Sequence, residues 1–389
     1  MRRLWTLPTK ALAFLMLLPT ALLAAATANA AIVAPAHARA AAAFSTKVFA
    51  SAARLVHAAP KGNETLSKPD DITSLGRDIF VGFQNGVGPQ GEASPTGNLD
   101  STVVEFNAWG RAVAQWDVVG KCDGLTADPL TGRLIATVNE DANSSVYLID
   151  PFGGAKPAGY HYNEPLPSKG GTDAISVYHG MVLISASAPG TTGLAAPQPT
   201  YPAVYRVAFD PKTLVATVTP LFFDEATATV ANSNSAALGQ AEKLALTDPD
   251  SNEVVPAFAA RFAGDFMLTS QGDKEQIFIH AAGGHHQTLS VLQLSDSVDD
   301  TAWPAGRWGA IYATDSANDT IYKVTGPFRP GSVFVVDTPC GANNAPSTCP
   351  APGFPDNYFG QLNPWTGAIT RVALTGPAFV PQGGLLFLP

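Results

Sequence analysis

From residue 69 onward the chain is a succession of short apolar runs separated by turn residues. Runs such as Asp78–Phe83 (DIFVGF), Arg133–Val138 (RLIATV), Met181–Ala186 (MVLISA), 265–269 (DFMLT) and 310–314 (AIYAT) are apolar almost throughout, as expected of strands covered on both faces. Other segments alternate, among them 101–118 (STVVEFNAWGRAVAQWDV), 144–154, 203–218 and 320–336. Several of these bend at Asp-Pro, Pro-Gly or Thr-Gly, which is hairpin chemistry. The pattern therefore predicts about four strands per period.

The period itself shows in a set of acidic strand openings: Asp70-Asp71-Ile72-Thr73, Asp123-Gly124-Leu125-Thr126, Asp173-Ala174-Ile175-Ser176, Glu242-Lys243-Leu244-Ala245 and Asp299-Asp300-Thr301-Ala302. They recur at intervals of roughly 50 to 70 residues, the range of propeller repeats. A four-stranded sheet of this size cannot bury both faces alone, so successive periods must stack around an axis. The fold class expected is all-β: a β-propeller of six blades, each a four-stranded antiparallel sheet, with seven blades as the alternative if residues 45 to 58 supply outer strands. Its last blade runs through SVFVVDTP and NYFGQLNPWTGAITRVAL, with Pro355-Asp356-Asn357 as its opening. The final segment VPQGGLLFLP is an apolar strand expected to pair with the first blade, closing the ring with strands from both chain ends and removing open sheet edges. The domain plan is then 1–30 a signal peptide, 31–65 an Ala-rich linker whose apolar spacing is compatible with a short helix, and 66–389 the propeller.

Three phrases carry a family resemblance: CDGLTADPLTGRLIATV at 122–138, DDTAWPAGRWGAIYATDSANDTIYKVTGPF at 299–328 and the terminal PQGGLLFLP. Over residues 69 to 389 the chain resembles exported bacterial propellers of the NHL and gluconolactonase-like superfamily. Such propellers include lactonases, lyases and binding proteins without chemistry. The resemblance also implies one divalent cation, held in the central channel of gluconolactonase-like enzymes by carboxylate and Asn side chains.

Composition agrees with the strand pattern. Of 389 residues, 46% are hydrophobic and 14% charged, with 35 Gly and 32 Pro, more turn formers and fewer charges than an average soluble domain. The net charge of −9, with no basic run past the N-terminus, excludes a nucleic-acid surface. Arg2, Arg3 and Lys10 before the apolar run 11–26, followed by Ala28-Asn29-Ala30, form an export signal with cleavage near Ala31; an N-terminal membrane anchor is the alternative. No later stretch is long and apolar enough to span a bilayer. The expectation is a soluble monomer, secreted or held in the periplasm or cell envelope. In such a compartment Cys340 and Cys349, in one Gly/Pro-rich loop, form a local disulfide, and Cys122 is a buried free thiol.

Openings of inner strands face a propeller's channel, so Asp70, Asp123, Asp173, Glu242 and Asp299 are the expected ligand-binding ring. Like charges that close raise one another's pKa unless a cation or donors intervene. Ca²⁺ or another divalent cation on Asp123, Asp173 and Asp299 would relieve them; the competing reading is that each Asp fixes a turn through backbone N–H groups. His280, His285 and His286 sit at a Gly-Gly turn and read as an exposed hairpin. The tryptophans at 109, 116, 303, 308 and 365 read first as packing between blades. Gly-x-Ser-x-Gly, His-Glu-x-x-His and Gly-x-x-x-x-Gly-Lys patterns do not occur. Two functions follow: a propeller that binds a small molecule, carbohydrate or protein at its channel mouth without chemistry, or a divalent-metal-dependent lactone hydrolase or lyase.

Overall fold

The computed structural model describes residues 43–164, 166, 171–189, 201–337 and 357–389. The signal segment and the Cys340 and Cys349 pair lie outside them. The fold is an all-β propeller assembled from four-stranded antiparallel sheets. Sheet I is Pro69–Leu75, Asp78–Phe83, Asp100–Phe106 and Ala112–Val119, paired in that order. Sheet II runs Cys122–Asp128, Arg133–Val138, Ser145–Ile149, Ala158–Tyr162, and sheet III runs Thr172–Tyr178, Met181–Ala186, Pro202–Asp210, Val215–Phe223. A short parallel contact of His161 and Tyr162 with Val215 and Ala216 joins these two at their outer edges. Sheet IV is Pro249–Val254, Phe266–Ser270, Glu275–His280 and Thr288–Gln293, extended outward by Thr227–Val230 and Ala241–Lys243.

The last two sheets are interleaved along the chain. Val298–Ala302 is the inner strand of sheet V, but the next two strands belong to sheet VI, and sheet V resumes with Val333–Asp337, Tyr358–Leu362 and Ile369–Arg371. Sheet VI is Leu385–Leu388 innermost, then Ala310–Asp315, Thr320–Thr325 and the N-terminal Phe44–Ser51, with Leu374–Thr375 outside. Both chain ends therefore meet in one sheet, which is the closure expected. Three details differ. The C-terminal strand pairs with Ala310–Asp315, from Ala310 opposite Leu388 to Ala313 opposite Leu385, and not with the first blade. Of the expected opening Pro355-Asp356-Asn357, the first two residues lie outside the described ones and Asn357 precedes Tyr358–Leu362, while the inner strand of the last sheet is Leu385–Leu388. Residues 44–51, placed in a linker with helical spacing or, in the alternative, among outer strands, form an outer strand because Phe44 and Ala50 gain sheet partners and apolar neighbours that a solvated helix would lack.

The unbroken apolar runs are explained by how the sheets stack. On each second strand, alternate residues point into two different cores. Ile79 and Val81 pack with Ala310 and Tyr312 of sheet VI, whereas Phe80 packs with Leu134 and Ala136 of sheet II. Ile135 then meets Ile184 of sheet III, and Leu183 meets Phe266 and Leu268 of sheet IV. Met267 meets Val333 and Val335, and Val336 meets Ile311 and Ala313. The last core returns to sheet I, so the cores form a closed circuit around the inner strands. Cys122 is a free, buried thiol in one of them.

Candidate functional site

Inner strands all start at one end of the channel, called the mouth here, and run to the far end. Where each starts, its pairing slips: between Pro69 and Ile72, Cys122 and Gly124, Thr172 and Ile175, Pro249 and Asn252, and Val298 and Thr301. A bulge leaves a residue unpaired and re-aims its side chain. The residue concerned is Asp70, Asp123, Asp173, Asp250 or Asp299, and all of them line one cavity of about 770 Å³. Sheet VI supplies Gly383 instead, at φ +91°, where an added Cβ would lie 2.7 Å from Asp70 Oδ1. Its N–H donates to Asp299 Oδ2 at 2.7 Å.

Four of the five expected ring residues are thus brought together. Glu242 is not among them. It lies on the outer strand Ala241–Lys243 and accepts from Gln293 Nε2 at 3.1 Å, while Asp250 holds the inner position of sheet IV. The outer extension of sheet IV inserts an acidic, apolar-flanked segment that imitates an opening, and the true opening, Pro249-Asp250-Ser251-Asn252, is polar after its acid. The consecutive acids Asp70-Asp71 and Asp299-Asp300 divide the two roles weighed for them. Asp70 and Asp299 face the mouth. Asp71 Oδ2 accepts from Leu125 N of the next sheet at 2.6 Å and its Oδ1 from Ile72 N at 2.9 Å; Asp300 does the same with Leu385 N at 2.6 Å and Thr301 N at 2.7 Å. The second acid of each pair therefore fastens neighbouring inner strands.

Side chains that the sequence reading did not select complete the mouth. Gln84, just past its second strand, donates through Nε2 to Asp70 Oδ2 at 2.8 Å and Asp123 Oδ1 at 3.0 Å. Gln271 holds the matching place in sheet IV and donates to Asp250 Oδ2 at 3.0 Å. Lys121 Nζ lies 2.7 Å from Asp123 Oδ1 and also pairs with Glu140. Gly86 to Pro89, from the loop after Gln84, form part of the wall. Gln84 and Gln271 each end an apolar strand, the one signal that could have found them.

Burial pushes the Asp123 carboxyl up to about 7, Glu140 adds to it, and Lys121 works in the opposite direction. Burial, opposed by its two backbone donors, puts Asp71 at about 7 as well. Asp70, Asp173 and Asp250 lie well above the usual carboxylate range, chiefly from burial, then from Asp123, Glu140 and Asp299 respectively. Burial raises both Asp250 and Asp299, which share a side-chain hydrogen bond. Burial disfavours the Lys121 ammonium, yet Asp123, Glu140 and Asp70 outweigh it and hold its pKa well above normal.

The divalent cation fits this arrangement in kind but not in placement. Carboxylate oxygens abound, as Ca²⁺ requires, but among the described residues no three His, Cys, Asp or Glu side chains are placed to hold a metal ion. Asp123, Asp173 and Asp299 share the cavity without closing on one point, and the cation beside Asp123 is Lys121. His280 Nδ1 pairs with Asp265 Oδ1 at 2.9 Å at the far end, and His285 and His286 lie in an exposed turn. Trp109 and Trp308, expected between blades, are each 86% exposed, while Trp303 is buried.

No protein-family model matches the chain, and no curated protein does. Among solved structures it is similar to the periplasmic gluconolactonase of Pseudomonas aeruginosa (12% identity, 84% of this chain and 90% of that one, TM-score 0.42). A gluconolactonase from Xanthomonas campestris is also similar (11% identity, 67% and 87%, TM-score 0.35), as is a β-propeller domain from Myceliophteria thermophila (13% identity, 88% and 91%, TM-score 0.42). The neighbours are propellers, gluconolactonases among them; a likeness of this degree concerns architecture and leaves the chemistry to the site.

Proposed function

We infer that this chain is a binding propeller whose channel mouth takes a small molecule rich in hydrogen-bond donors, an amine or a polyhydroxylated compound. The observation that carries the reading is the convergence of five bulge-aimed aspartates on one cavity of about 770 Å³, within the usual size of small-ligand sites. Acceptors dominate the wall, and Asp123 Oδ2 and Gln271 Oε1 are buried without a partner. A donor-bearing ligand would satisfy acceptors that otherwise cost stability. Calorimetric titration with simple polyamines and with neutral sugars tests this. Binding to one class, weakened at least about tenfold in Asp173→Asn, supports it; no binding to either, or unchanged affinity in the variant, sinks it.

Hydrolysis of a lactone or related cyclic ester is the second reading, and one observation favours it. Asp250 and Asp299 face each other at the mouth, both carboxyls raised by burial and sharing a side-chain hydrogen bond, so that one can serve as acid and the other as base. Asp299 could draw a proton from water and Asp250 return one to the departing alkoxide. Lactone turnover that is lost in Asp299→Asn and insensitive to chelator would establish it; chelator-sensitive turnover would reassign the chemistry to a divalent cation. We also propose that the chain is exported and that Cys340 pairs with Cys349. N-terminal sequencing of the secreted protein and thiol counting before and after reduction check both.

A further inference from the structure

We propose that the far end of the propeller, opposite the acidic mouth, docks on an anionic lipid surface. Among the described residues, the large apolar side chains more than three-quarters exposed are Trp109, Leu130, Phe152 and Trp308. By strand register every one lies in a turn at the far end: after Phe106, after Asp128, after Ile149 and before Ala310. Three of them occupy the same place in the same turn. Asn107 Oδ1 accepts from Trp109 N, Asp128 Oδ1 from Leu130 N and Asp150 Oδ1 from Phe152 N. Asp210 repeats the turn with Lys212, and Asn363 with the half-exposed Trp365. An Asx turn aims the residue two places on at solvent, a position suited to polar side chains. Here it carries Trp, Leu, Phe, Lys and Trp.

Exposed cations outnumber the acids around these tips: Arg111, Arg133, Lys156, Lys212 and Arg307 against Asp128, Asp150 and Asp210. Asp128, Asp150 and Asp210 accept from N–H or hydroxyl groups of their own turns, whereas Arg111, Arg133, Lys156 and Arg307 stand exposed beside the apolar tips. The far end thus offers free cations on a chain of net charge −9, complementary to anionic headgroups. Separate aromatic and apolar tips flanked by Arg and Lys suit insertion into an interface. Protein contacts instead concentrate in packed, contiguous pockets. Docking at the far end would leave the acidic mouth open to solvent.

The test is flotation of the full-length protein with phosphatidylglycerol vesicles and with phosphatidylcholine vesicles, at low and high salt. The expected result is binding to the anionic vesicles alone, salt-sensitive, and reduced at least about tenfold in Trp109→Ser/Phe152→Ser/Trp308→Ser at unchanged melting temperature. If that triple variant does not fold, Arg111→Gln/Lys156→Gln/Arg307→Gln should show the same loss. No vesicle binding by the wild type, equal binding to both vesicle types, or full binding by the folded variants through the N-terminal segment alone overturns the proposal. Self-association in place of vesicle binding, seen by sedimentation, overturns it in favour of contact between copies.

Discussion

The strand Cys122–Asp128 has an aspartate near each end, and the two behave in opposite ways. Asp123 sits at a bulge, buried, turned into the channel, with its carboxyl pushed up to about 7. Asp128, at the far end, caps a turn, accepting from Leu130 N at 2.9 Å and Thr131 Oγ1 at 2.7 Å. The residue type is the same; the backbone decides what it does. At the mouth, bulges withhold backbone donors from the carboxylates and group them, which creates a demand for protons or bound donors. At the far end, turns supply the donors locally, so the acids stay ionised on their own loops and the neighbouring cations remain exposed. One set of strands thereby presents two surfaces of different chemistry.

The largest expected effect breaks the ring on which both ends depend. Removing residues 380–389 strips Leu385–Leu388 from Ala310–Asp315 and opens the sheet that unites the chain termini, so cooperative thermal unfolding, followed by circular dichroism, should disappear. Next comes the contrast between adjacent acids. Asp71→Ala leaves two backbone donors unsatisfied and should cost about 2–5 kcal/mol, whereas Asp70→Asn removes a repelled charge and should leave the denaturant midpoint unchanged or higher at pH 8. If both variants lose equal stability, the division of roles fails.

The pH response sharpens the same contrast. Asp71, Asp123 and Asp337 have folded pKa values raised to about 7, so between the ordinary carboxylate range and neutrality the folded state binds more protons than the unfolded one. Stability from these groups is complete below the unfolded pKa and is lost as pH rises towards and through 7. The melting temperature should therefore be higher at pH 5 than at pH 8, against the usual acid trend; a lower value at pH 5 would contradict the carboxyl assignments. A smaller loss, about 1–3 kcal/mol, is expected of Gly383→Ala, which places a methyl against Asp70 at a positive φ. Trp109→Ser should change stability by no more than about 0.5 kcal/mol, because an exposed tip holds nothing in place.

Much of the fold was legible because propeller strands repeat their chemistry. Apolar runs such as DIFVGF mark strands covered on both faces, and Asp-Pro turns mark their ends. Four of the five ring positions followed from the same repetition. Glu242 failed because an acid before an apolar pair occurs on outer strands too, and only pairing distinguishes Ala241–Lys243 from Pro249–Val254. Interleaving of the last two sheets was not legible, since local pattern carries no information about which neighbour a strand joins. Lys121, Gln84 and Gln271 were missed because they follow or precede strands as single polar residues and acquire meaning only beside the carboxylates. Trp109 and Trp308 were misassigned to the core by residue type, whereas the Asx turn after Asn107 and the loop before Gly309 hold them outside.

The most direct test of the central claim, that the bulge aspartates gather at the mouth and retain protons there, is a ¹³C-carboxyl NMR titration of aspartate-labelled protein with assignment by single Asn variants. The account predicts that the resonance removed by Asp123→Asn titrates near pH 7, that the one removed by Asp70→Asn titrates well above the ordinary carboxylate range, and that the one removed by Asp210→Asn, at a far-end turn, titrates below that range. Titration of all three below pH 5 would contradict it.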